Sequence, residues 1–242
     1  MIILNSCPNC HSLQIPEYRI LFRGDLIVQT AFGDKIKFAA MIRYCQCQDC
    51  KLIFQNPRPS DEELNEYYES GTYRRIVYQF PEGRDTTEKT RAKIDAEIIK
   101  EHIGEITTHL DIGCGRGFLL DKIGANLKVG VESDISFVYV KGIETYAQID
   151  QVPQKSFDLV SAIHLLEHVQ YPLDFLKKIV GFVEKNGHLV IEVPSWETRG
   201  GPFGFWHLYH FEPEVLKHMC EQIELKTEQV LFTPHLMLIC KA

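Results

Sequence analysis

The sequence predicts an α/β fold with a mostly parallel sheet, preceded by a small β-rich region that carries most of the cysteines. From about residue 106 onward, apolar strand-like runs alternate with helical stretches, which is typical of a parallel sheet covered by helices. Five of the eight cysteines fall within the first 50 residues. The chain therefore divides into two regions of different composition.

The region before Pro59 is predicted to be β-rich. Residues 12–44 hold short apolar and β-branched runs separated by glycines, as in hairpins. The two prolines of NPRPS block a strand or helix and place a domain boundary near Pro59. Ser60 and Glu63 have the spacing of a capping box, and the residues behind them predict a short helix. A partly amphipathic pattern predicts a second helix over 85–103.

The remaining elements follow from the alternating pattern. Strands are predicted at THLDIG, KVGVES, IETYA, FDLVSAI and HLVIEV, with helices at 116–123, 134–141 and 172–184. A last helix, EPEVLKHMCEQI, precedes two strands, ELKTEQVLF and HLMLICKA, which are close enough to form an antiparallel pair. The predicted domains are 1–59, 60–105 and 106–242.

Composition and charge narrow the class of protein. Hydrophobic residues make up 45% of the chain and charged residues 24%, which is ordinary globular usage. The net charge is −7 and the basic residues are dispersed, so a small-molecule substrate is favoured over nucleic acid. The apolar runs are shorter than the roughly 20 residues of a membrane span, and MIILNSCPNC lacks the features of a secretory signal. We therefore expect a cytoplasmic protein and no membrane partner.

A glycine loop follows the first strand of the alternating region, in HLDIGCGRGFLL. Gly113, Gly115 and Gly117 allow sharp turns and close approach of a ligand, while the helix behind them offers free N–H groups. Glu132 ends the next strand, where a carboxylate could accept both ribose hydroxyls of an adenosine group. A dinucleotide fingerprint needs a glycine at Phe118, so NAD is disfavoured. A tight turn without a ligand is the alternative.

Residues 106–242 resemble the class I S-adenosylmethionine-dependent methyltransferases. LDIGCGRG is similar to their first motif, VGVES to their second, and SFDLVSAIHLLEHV to the motif on their fourth strand. The resemblance implies a Rossmann-like methyltransferase fold, with a mostly parallel seven-stranded sheet and helices on both faces. It also implies S-adenosylmethionine as cofactor and methyl transfer as the reaction.

The same resemblance implies a set of cofactor-binding residues. They are Asp111, Gly113, Cys114, Gly115, Gly117, Glu132, Ser133, Asp150 and His164. Asp111 and the loop backbone would hold the methionine end, and Glu132 would hold the ribose. Asp150 is a candidate for the adenine, although YAQIDQVP departs from the usual acidic pattern of the family at this place.

The cysteines near the N-terminus have the spacing of a metal site. Cys7 and Cys10 form one C-x-x-C knuckle, and Cys47 and Cys50 form another. Four thiolates complete a closed tetrahedral shell around zinc at about 2.3 Å, so we expect a structural Zn²⁺. Unrelated buried cysteines are the alternative, and Cys45 could replace one ligand.

The N-terminal region, with CKLIFQNPRPS and the segment to TYRR, resembles the zinc-binding portion joined to some bacterial methyltransferases of sugar and secondary-metabolite pathways. We therefore expect a sugar or sugar-nucleotide hydroxyl or carbon as the acceptor. Related enzymes use such a segment to cover the cofactor. Residues 60–105 are thus a candidate lid through Tyr67, Tyr68, Tyr73 and Arg74, with a solvated linker as the alternative.

An oxygen acceptor needs a base, and histidine suits that step at neutral pH. His164 and His168 follow the fourth strand, at the carboxyl edge where open α/β sheets bind ligands. His207 and His210 lie in GGPFGFWHLYHF, after the fifth strand. The candidate catalytic residues are His168, His210 and His207. The alternatives are a helix-bracing role for Glu167 and His168, and aromatic packing for the other two.

Other functions remain open alternatives. HLLEH also matches H-x-x-E-H, a metalloprotease motif that needs one continuous helix, whereas here a strand runs into it and Pro172 follows. RNA methylation is a second alternative, which the acidic balance disfavours, and a non-catalytic zinc-containing binding module is a third. The acceptor, the methylated atom and the oligomeric state are open.

Overall fold

The computed structural model describes residues 1–23, 26–29, 35–38, 41–69, 81–153, 156–195, 206–233 and 235–242. The chain forms two compact units. The first unit consists of Met1–Thr86 and Phe203–His210, and the second of Thr87–Pro202 and Phe211–Ala242. The division at residues 59 and 105 stays a prediction. Within the described ranges, no helix is long and apolar enough to cross a membrane.

Strands and helices are numbered separately in chain order. The strands are β1 (Glu17–Arg23), β2 (Leu26–Gln29), β3 (Lys35–Phe38), β4 (Met41–Gln46), β5 (Ile53–Gln55), β6 (Thr108–Ile112), β7 (Leu127–Val131), β8 (Glu144–Tyr146), β9 (Phe157–Ile163), β10 (Val183–Val193), β11 (Tyr209–His210), β12 (Lys226–Phe232) and β13 (Leu236–Lys241). The helices are α1 (Asp61–Glu69), α2 (Pro81–Ile103), α3 (Phe118–Ile123), α4 (Pro172–Val180) and α5 (Pro213–Glu221).

The first unit is built on an antiparallel sheet of order β1-β4-β5-β11, with β2 and β3 paired as a hairpin. This confirms the predicted β-rich N-terminal region. Helix α1 starts with a reciprocal cap: the amide of Glu63 donates to Ser60 Oγ at 3.3 Å, and the amide of Ser60 donates to Glu63 Oε2 at 2.9 Å. The predicted capping box therefore starts this helix.

The second unit contains a seven-stranded sheet of order β12-β13-β10-β9-β6-β7-β8. The five strands from β10 to β8 are parallel, and β13 runs antiparallel to both β10 and β12. The predicted mostly parallel sheet is confirmed, and so is the antiparallel pair near the C-terminus. The carboxyl ends of β6, β7, β9 and β10 lie at one edge, where open α/β sheets bind ligands.

The core of the second unit joins two helices to the centre of this sheet. Ala92, Ala96 and Ile99 of α2 are buried against a larger apolar set. That set comprises Phe118, Leu119, Ile123, Ala125, Leu159, Val190, Met237 and Ile239. Burial at positions 92, 96 and 99 follows the helical period, so one face of α2 packs on the sheet.

Two helices predicted from the sequence differ from the structure. The predicted helix over 134–141 is wrong: only a 3₁₀ turn, Ile135–Phe137, forms there. Asp134 accepts a hydrogen bond from the amide of Ser136, a local bond that competes with a helix, and Val138 is already extended. The helix predicted over 172–184 ends at Val180, before Gly181, because β10 begins at Val183.

Candidate functional site

The two C-x-x-C segments form matching turns in the first unit. The amide of Cys7 donates to Ser12 at 2.8 Å, and the amide of Cys47 donates to Leu52 at 3.0 Å. In each knuckle the residue after the second cysteine has a positive φ, 60° at His11 and 62° at Lys51. The two segments therefore fold alike and point both pairs of thiols at one place.

The four sulfur atoms of Cys7, Cys10, Cys47 and Cys50 lie within 4.8 Å of one another. Cys7 and Cys50 are 3.5 Å apart at sulfur, and Cys10 and Cys47 are 3.4 Å apart. Thiolates bound to one zinc ion at about 2.3 Å are roughly 3.8 Å apart, so this donor set fits the ion. The hydrogen bond between Cys7 and Cys50, with burial, raises the pKa of Cys7, and the same bond lowers the pKa of Cys50 to about 4. Cys45 is buried two residues away and is not part of the cluster.

The glycine loop connects β6 to α3 in the second unit. Gly113, Gly115 and Gly117 have φ values of 73°, 53° and 84°, a region that favours glycine. A Cβ at Gly117 would lie 2.5 Å from Ile143 Cδ1, whereas at Gly115 its nearest neighbour would be Phe137 at 4.0 Å. The backbone at Gly115 is therefore open to close approach by a ligand.

The carboxylate of Glu132 lies against this loop, at the end of β7. Glu132 Oε2 accepts the amide of Gly115 at 3.1 Å, and Oε1 accepts the Ser133 hydroxyl at 3.1 Å. The loop is also fixed to β7 by its backbone, since the amide of Gly113 donates to Val131 at 2.8 Å. The structure thus brings together the predicted loop and the predicted acid, and a role for them in binding adenosine stays a prediction.

Asp111 is buried beneath the loop and is oriented by a polar chain. The Ser161 hydroxyl donates to Asp111 Oδ1 at 2.6 Å, and His109 Nε2 lies 2.7 Å from Ser161 Oγ. Since the one proton of Ser161 goes to Asp111, His109 must donate through Nε2. Burial raises the pKa of Asp111 to about 7, partly offset by the Ser161 bond, and burial lowers the pKa of His109 to about 3.

Cys114 and Asp150 have different surroundings from Glu132. Cys114 is buried, and burial raises the pKa of its thiol, so it is a packing group against Gly130 and not a nucleophile. The Asp150 carboxylate is largely exposed and lies 2.7 Å from Lys178 Nζ of α4. A role for Asp150 at the adenine stays a prediction.

His164 stands at the end of β9 with a positive φ of 51°. Its Nδ1 lies 3.4 Å from Glu167 Oε1, and its Nε2 lies 3.1 Å from Glu192 Oε1. Burial disfavours the protonated form of His164, but the two carboxylates outweigh burial and raise its pKa.

Nε2 of His168 lies 3.6 Å from Glu167 Oε1, and the His168 side chain is half-buried. Leu166–His168 form only a 3₁₀ turn, so HLLEH lacks the continuous helix that a metalloprotease needs.

The two later histidines belong to the first unit. His210 lies in β11, paired with Ile53, and is 2% exposed. His207 is half-buried, and its carbonyl accepts a hydrogen bond from the Tyr44 hydroxyl. Residues 196–205, which include most of the predicted aromatic loop, lie outside the described residues, as do Tyr73 and Arg74 of the predicted lid.

Tyr67 of the predicted lid is also in the first unit. Its ring stacks on Trp206, with ring centroids 3.3 Å apart, and its side chain is buried. Tyr68 packs edge-on against Tyr67 at 5.0 Å. These aromatic contacts give the two tyrosines a packing role within the first unit, and a covering role stays a prediction.

Sequence reasoning missed several polar residues of the second unit. Arg116, which the glycine motif did not single out, is buried, with its guanidinium 5.1 Å from the Phe137 ring centroid and its Nε 4.0 Å from Glu88. Glu192 and His235 were also missed. They join His164 from separate strands, so no local spacing could reveal them. An acidic residue inside the apolar run HLVIEV was the one local signal for Glu192.

Comparison with known proteins matches the chain to one family. The family described as a methyltransferase domain matches residues 62–230. A tRNA U34 carboxymethyltransferase of Colwellia psychrerythraea is 31% identical over 42% of this chain and 37% of that protein. The mitochondrial ubiquinone biosynthesis O-methyltransferase of Schizosaccharomyces pombe is 33% identical over 36% of this chain and 37% of that protein. The match thus spans little more than a third of either relative.

A solved structure shares the fold at low sequence identity. The 1,6-didemethyltoxoflavin-N1-methyltransferase of Burkholderia thailandensis, solved with 1,6-didemethyltoxoflavin and S-adenosylhomocysteine, superposes with a TM-score of 0.58. The two chains are 16% identical, over 80% of this chain and 96% of that one. The likeness confirms the predicted Rossmann-like fold class.

Proposed function

Because the chain belongs to the methyltransferase-domain family, we propose that it transfers a methyl group from S-adenosylmethionine to a small-molecule acceptor. The observation that carries this proposal is the pairing of the glycine loop with Glu132, through the hydrogen bond from Gly115. The loop is shaped by three positive-φ glycines, and its open side at Gly115 leaves room for a ligand against the backbone.

We expect different residues of this site to bind different parts of the cofactor. Glu132 would accept ribose hydroxyls, with Ser133 beside it, and the buried Asp111, held by the Ser161 hydroxyl, would bind the methionine end. An ionised Asp111 favours the cationic methionine end of the ligand, because opposite charges attract strongly where water is excluded. When bound, the sulfonium supplies an electrophilic methyl group. The protein aligns it with the acceptor, and such alignment supplies much of the rate.

His168 is our first choice for the base that takes a proton from an oxygen acceptor. It follows β9 at the carboxyl edge of the sheet, is half-buried, and faces the buried carboxylate of Glu167 at 3.6 Å. A carboxylate beside an imidazole stabilises the imidazolium formed when the proton is taken. His210 is a weaker candidate because it is 2% exposed within a strand, and His207 is the nearest substitute.

The base assignment predicts a specific kinetic change. A His168→Gln enzyme should lose about 10² to 10⁴ in turnover number while keeping its affinity for S-adenosylhomocysteine, since a base acts in the transition state. His188→Gln is the matched control, because His188 pairs with Glu228 at 3.4 Å in the same sheet. If His168→Gln and His210→Gln both turn over at the wild-type rate, the base lies elsewhere or positioning alone is sufficient.

We also propose that Cys7, Cys10, Cys47 and Cys50 bind one structural Zn²⁺. The matching knuckles and the sulfur spacing support this ligand set. A closed four-thiolate shell leaves no position for water, so the ion would hold the first unit together and take no part in the reaction.

The cofactor proposal is tested by calorimetry with S-adenosylhomocysteine. Glu132→Ala should weaken binding by about 1.5 to 3 kcal/mol, the range for hydrogen bonds to a charged group. Glu144→Ala, which removes an exposed carboxylate from the neighbouring strand β8, should leave the affinity unchanged. Equal affinities for all three proteins would remove Glu132 from the site, and tight binding of NAD would contradict the cofactor assignment.

The acceptor is proposed to be a sugar or sugar nucleotide, on the resemblance of the cysteine region to the zinc-binding portion of sugar methyltransferases. A reaction panel with radiolabelled S-adenosylmethionine tests this, with sugar nucleotides in one arm and transfer RNA in another. Label in the sugar nucleotides alone supports the proposal. Cofactor binding without label in any arm would favour a non-catalytic binding module.

RNA methylation is the second candidate, because one relative is a tRNA carboxymethyltransferase. The net charge of −7 weighs against it, since binding to a phosphate backbone relies on clustered cations. An RNA substrate would show binding that weakens steeply as salt is raised. Salt-insensitive turnover of a small acceptor would exclude it.

A further inference from the structure

A second cluster of metal-ligand side chains lies in the second unit, apart from the cysteines. His164, Glu192 and His235 each offer one ligand atom, and these atoms lie within 4.8 Å of one another. They come from the end of β9, the end of β10 and the residue before β13, three strands that are neighbours only in the folded sheet. The sheet therefore assembles this cluster from distant parts of the sequence.

The contact between His164 and Glu192 has the spacing of two ligands of one ion. Nε2 of His164 lies 3.1 Å from Oε1 of Glu192, yet neither atom makes a hydrogen bond in this arrangement. Two ligand atoms at about 2.0 to 2.1 Å from a tetrahedral zinc are roughly 3.3 Å apart. The 3.1 Å between these two atoms is thus close to the separation of two ligand atoms on one ion.

The other polar atoms of these side chains are held from outside the cluster. Nδ1 of His164 lies 3.4 Å from Glu167 Oε1, and Oε2 of Glu192 accepts a hydrogen bond from the Thr233 hydroxyl at 3.2 Å. The amide of Thr233 donates to the carbonyl of His235 at 2.8 Å, so the backbone of these two residues is also held. Metal-binding histidines commonly have their second nitrogen oriented by a carboxylate in this way.

Burial of negative charge at this place favours a cation. Glu192 and Glu167 are 0% and 1% exposed, and Asp95 of α2 is 2% exposed. Buried carboxylates are costly unless positive charge lies close to them, and a divalent ion supplies two charges at one point.

We propose that His164, Glu192 and His235 bind a second divalent ion, Zn²⁺, in the second unit. Two imidazoles and one carboxylate are a ligand set that zinc accepts, and three protein ligands leave one tetrahedral position open. That position would take water or an oxygen atom of a small molecule. The proposal stands on the geometry of these three residues and does not depend on methyl transfer.

The test is the zinc content of the full chain, measured by elemental analysis after equilibration with zinc and removal of the excess. His235→Gln should contain one zinc fewer per chain than the wild type, whatever the occupancy of the cysteine site. Glu192→Gln should show the same loss. His188→Gln is the matched control and should keep the wild-type content, because His188 pairs with Glu228 away from the cluster ligands.

Cobalt(II) substitution separates the two metal sites. Thiolate ligands give cobalt strong near-ultraviolet charge-transfer absorption, whereas nitrogen and oxygen ligands do not. His235→Gln should keep this absorption and bind one cobalt fewer. Since Glu192 is fully buried, the half-buried His235 is the safer variant, and circular dichroism verifies its fold. Wild-type zinc content in folded His235→Gln overturns the proposal, and these groups are then an ion-pair network.

Discussion

Among the described residues, the two units differ in the apolar clusters that they form. In the first unit, one such cluster consists of Ile42, Tyr44 and Ile53. In the second, helices α2 and α3 pack on the central strands in a much larger cluster. A unit whose packing alone is marginal generally needs disulfides, metals or partners to fold. The difference suggests that the first unit depends on the cysteine cluster, whereas the second is stabilised by its own packing.

The largest effect on stability is expected on removing one thiol of the four-cysteine cluster. Cys47→Ser should abolish zinc binding by the first unit, which removes on the order of 10 kcal/mol of metal-linked folding free energy. Cys45→Ser is the matched control, because Cys45 is buried in the same strand region but is not a cluster member. Thermal unfolding and zinc content are measured for both variants, and S-adenosylhomocysteine binding shows whether the second unit is still folded.

Two outcomes would contradict this difference between the two units. A Cys47→Ser protein with full zinc occupancy would show that the ligand set is wrong. Simultaneous loss of cofactor binding would show that the second unit does not fold on its own packing. A single thiol is preferable to a chelator here, because a chelator would also strip the proposed ion of the second unit.

The second effect concerns the backbone of the glycine loop. Gly117 and Gly142 both have positive φ, 84° and 77°, but a Cβ at Gly117 would meet Ile143 at 2.5 Å and one at Gly142 would meet nothing within 4 Å. Gly142→Ala should cost about 1 to 2 kcal/mol from the left-handed backbone. Gly117→Ala should cost roughly 3 kcal/mol or more, since overpacking adds to the strain. Urea unfolding measures both, and equal losses would contradict the close packing of the loop.

How much of the site the sequence predicts depends on whether its parts are adjacent in the chain. The glycine loop and Glu132 were identified because glycine spacing and a strand-ending acid are local signals. The four thiols were identified from two local C-x-x-C spacings. The cluster of His164, Glu192 and His235 was missed, because only the strand order places β9, β10 and β13 side by side.

The secondary structure shows the same limit. The strands of the central sheet were predicted because short apolar runs that alternate with helical patterns are typical of buried strands in a parallel sheet. The helix predicted over 134–141 failed because the Asp134 cap and the following Val138 favour a turn and extended backbone over a second helical turn. The burial of His210 was also not predictable, since its pairing with Ile53 joins residues far apart in the sequence.

The third effect is a pH dependence confined to the second unit. Burial raises the pKa of Asp111 from 3.8 to about 7, so the folded protein binds this proton more tightly than the unfolded chain does. This group therefore contributes stability that is fully present below pH 3.8 and is lost as the pH rises through 7. Between pH 5 and pH 8 the loss should be roughly 2.6 kcal/mol.

Asp111→Asn isolates this contribution, because the amide does not ionise. The difference in unfolding free energy between pH 5 and pH 8 should be smaller in the variant than in the wild type, measured by urea unfolding at each pH. The control Asp158→Asn should change this pH difference in the opposite direction. Hydrogen bonds from Thr107 and Thr108 outweigh the burial of Asp158 and lower its pKa. An unchanged pH difference in Asp111→Asn would mean that Asp111 is ionised throughout this range.

The smallest effect is expected at the exposed pair of Asp150 and Lys178, which lie 2.7 Å apart. Exposed ion pairs contribute about 0.2 to 1 kcal/mol because water and salt screen them, so Lys178→Met should change the unfolding free energy by no more than this.

Asp150→Asn should likewise be nearly neutral for stability. The informative measurement is its affinity for S-adenosylhomocysteine, compared with that of Glu132→Gln. Glu132 already touches the loop through Gly115, whereas the observed partner of Asp150 is Lys178, so the loss at Asp150 should be the smaller one. A loss at Asp150→Asn equal to that at Glu132→Gln would instead assign this carboxylate to the adenine, and Lys178→Met should then strengthen binding by freeing it.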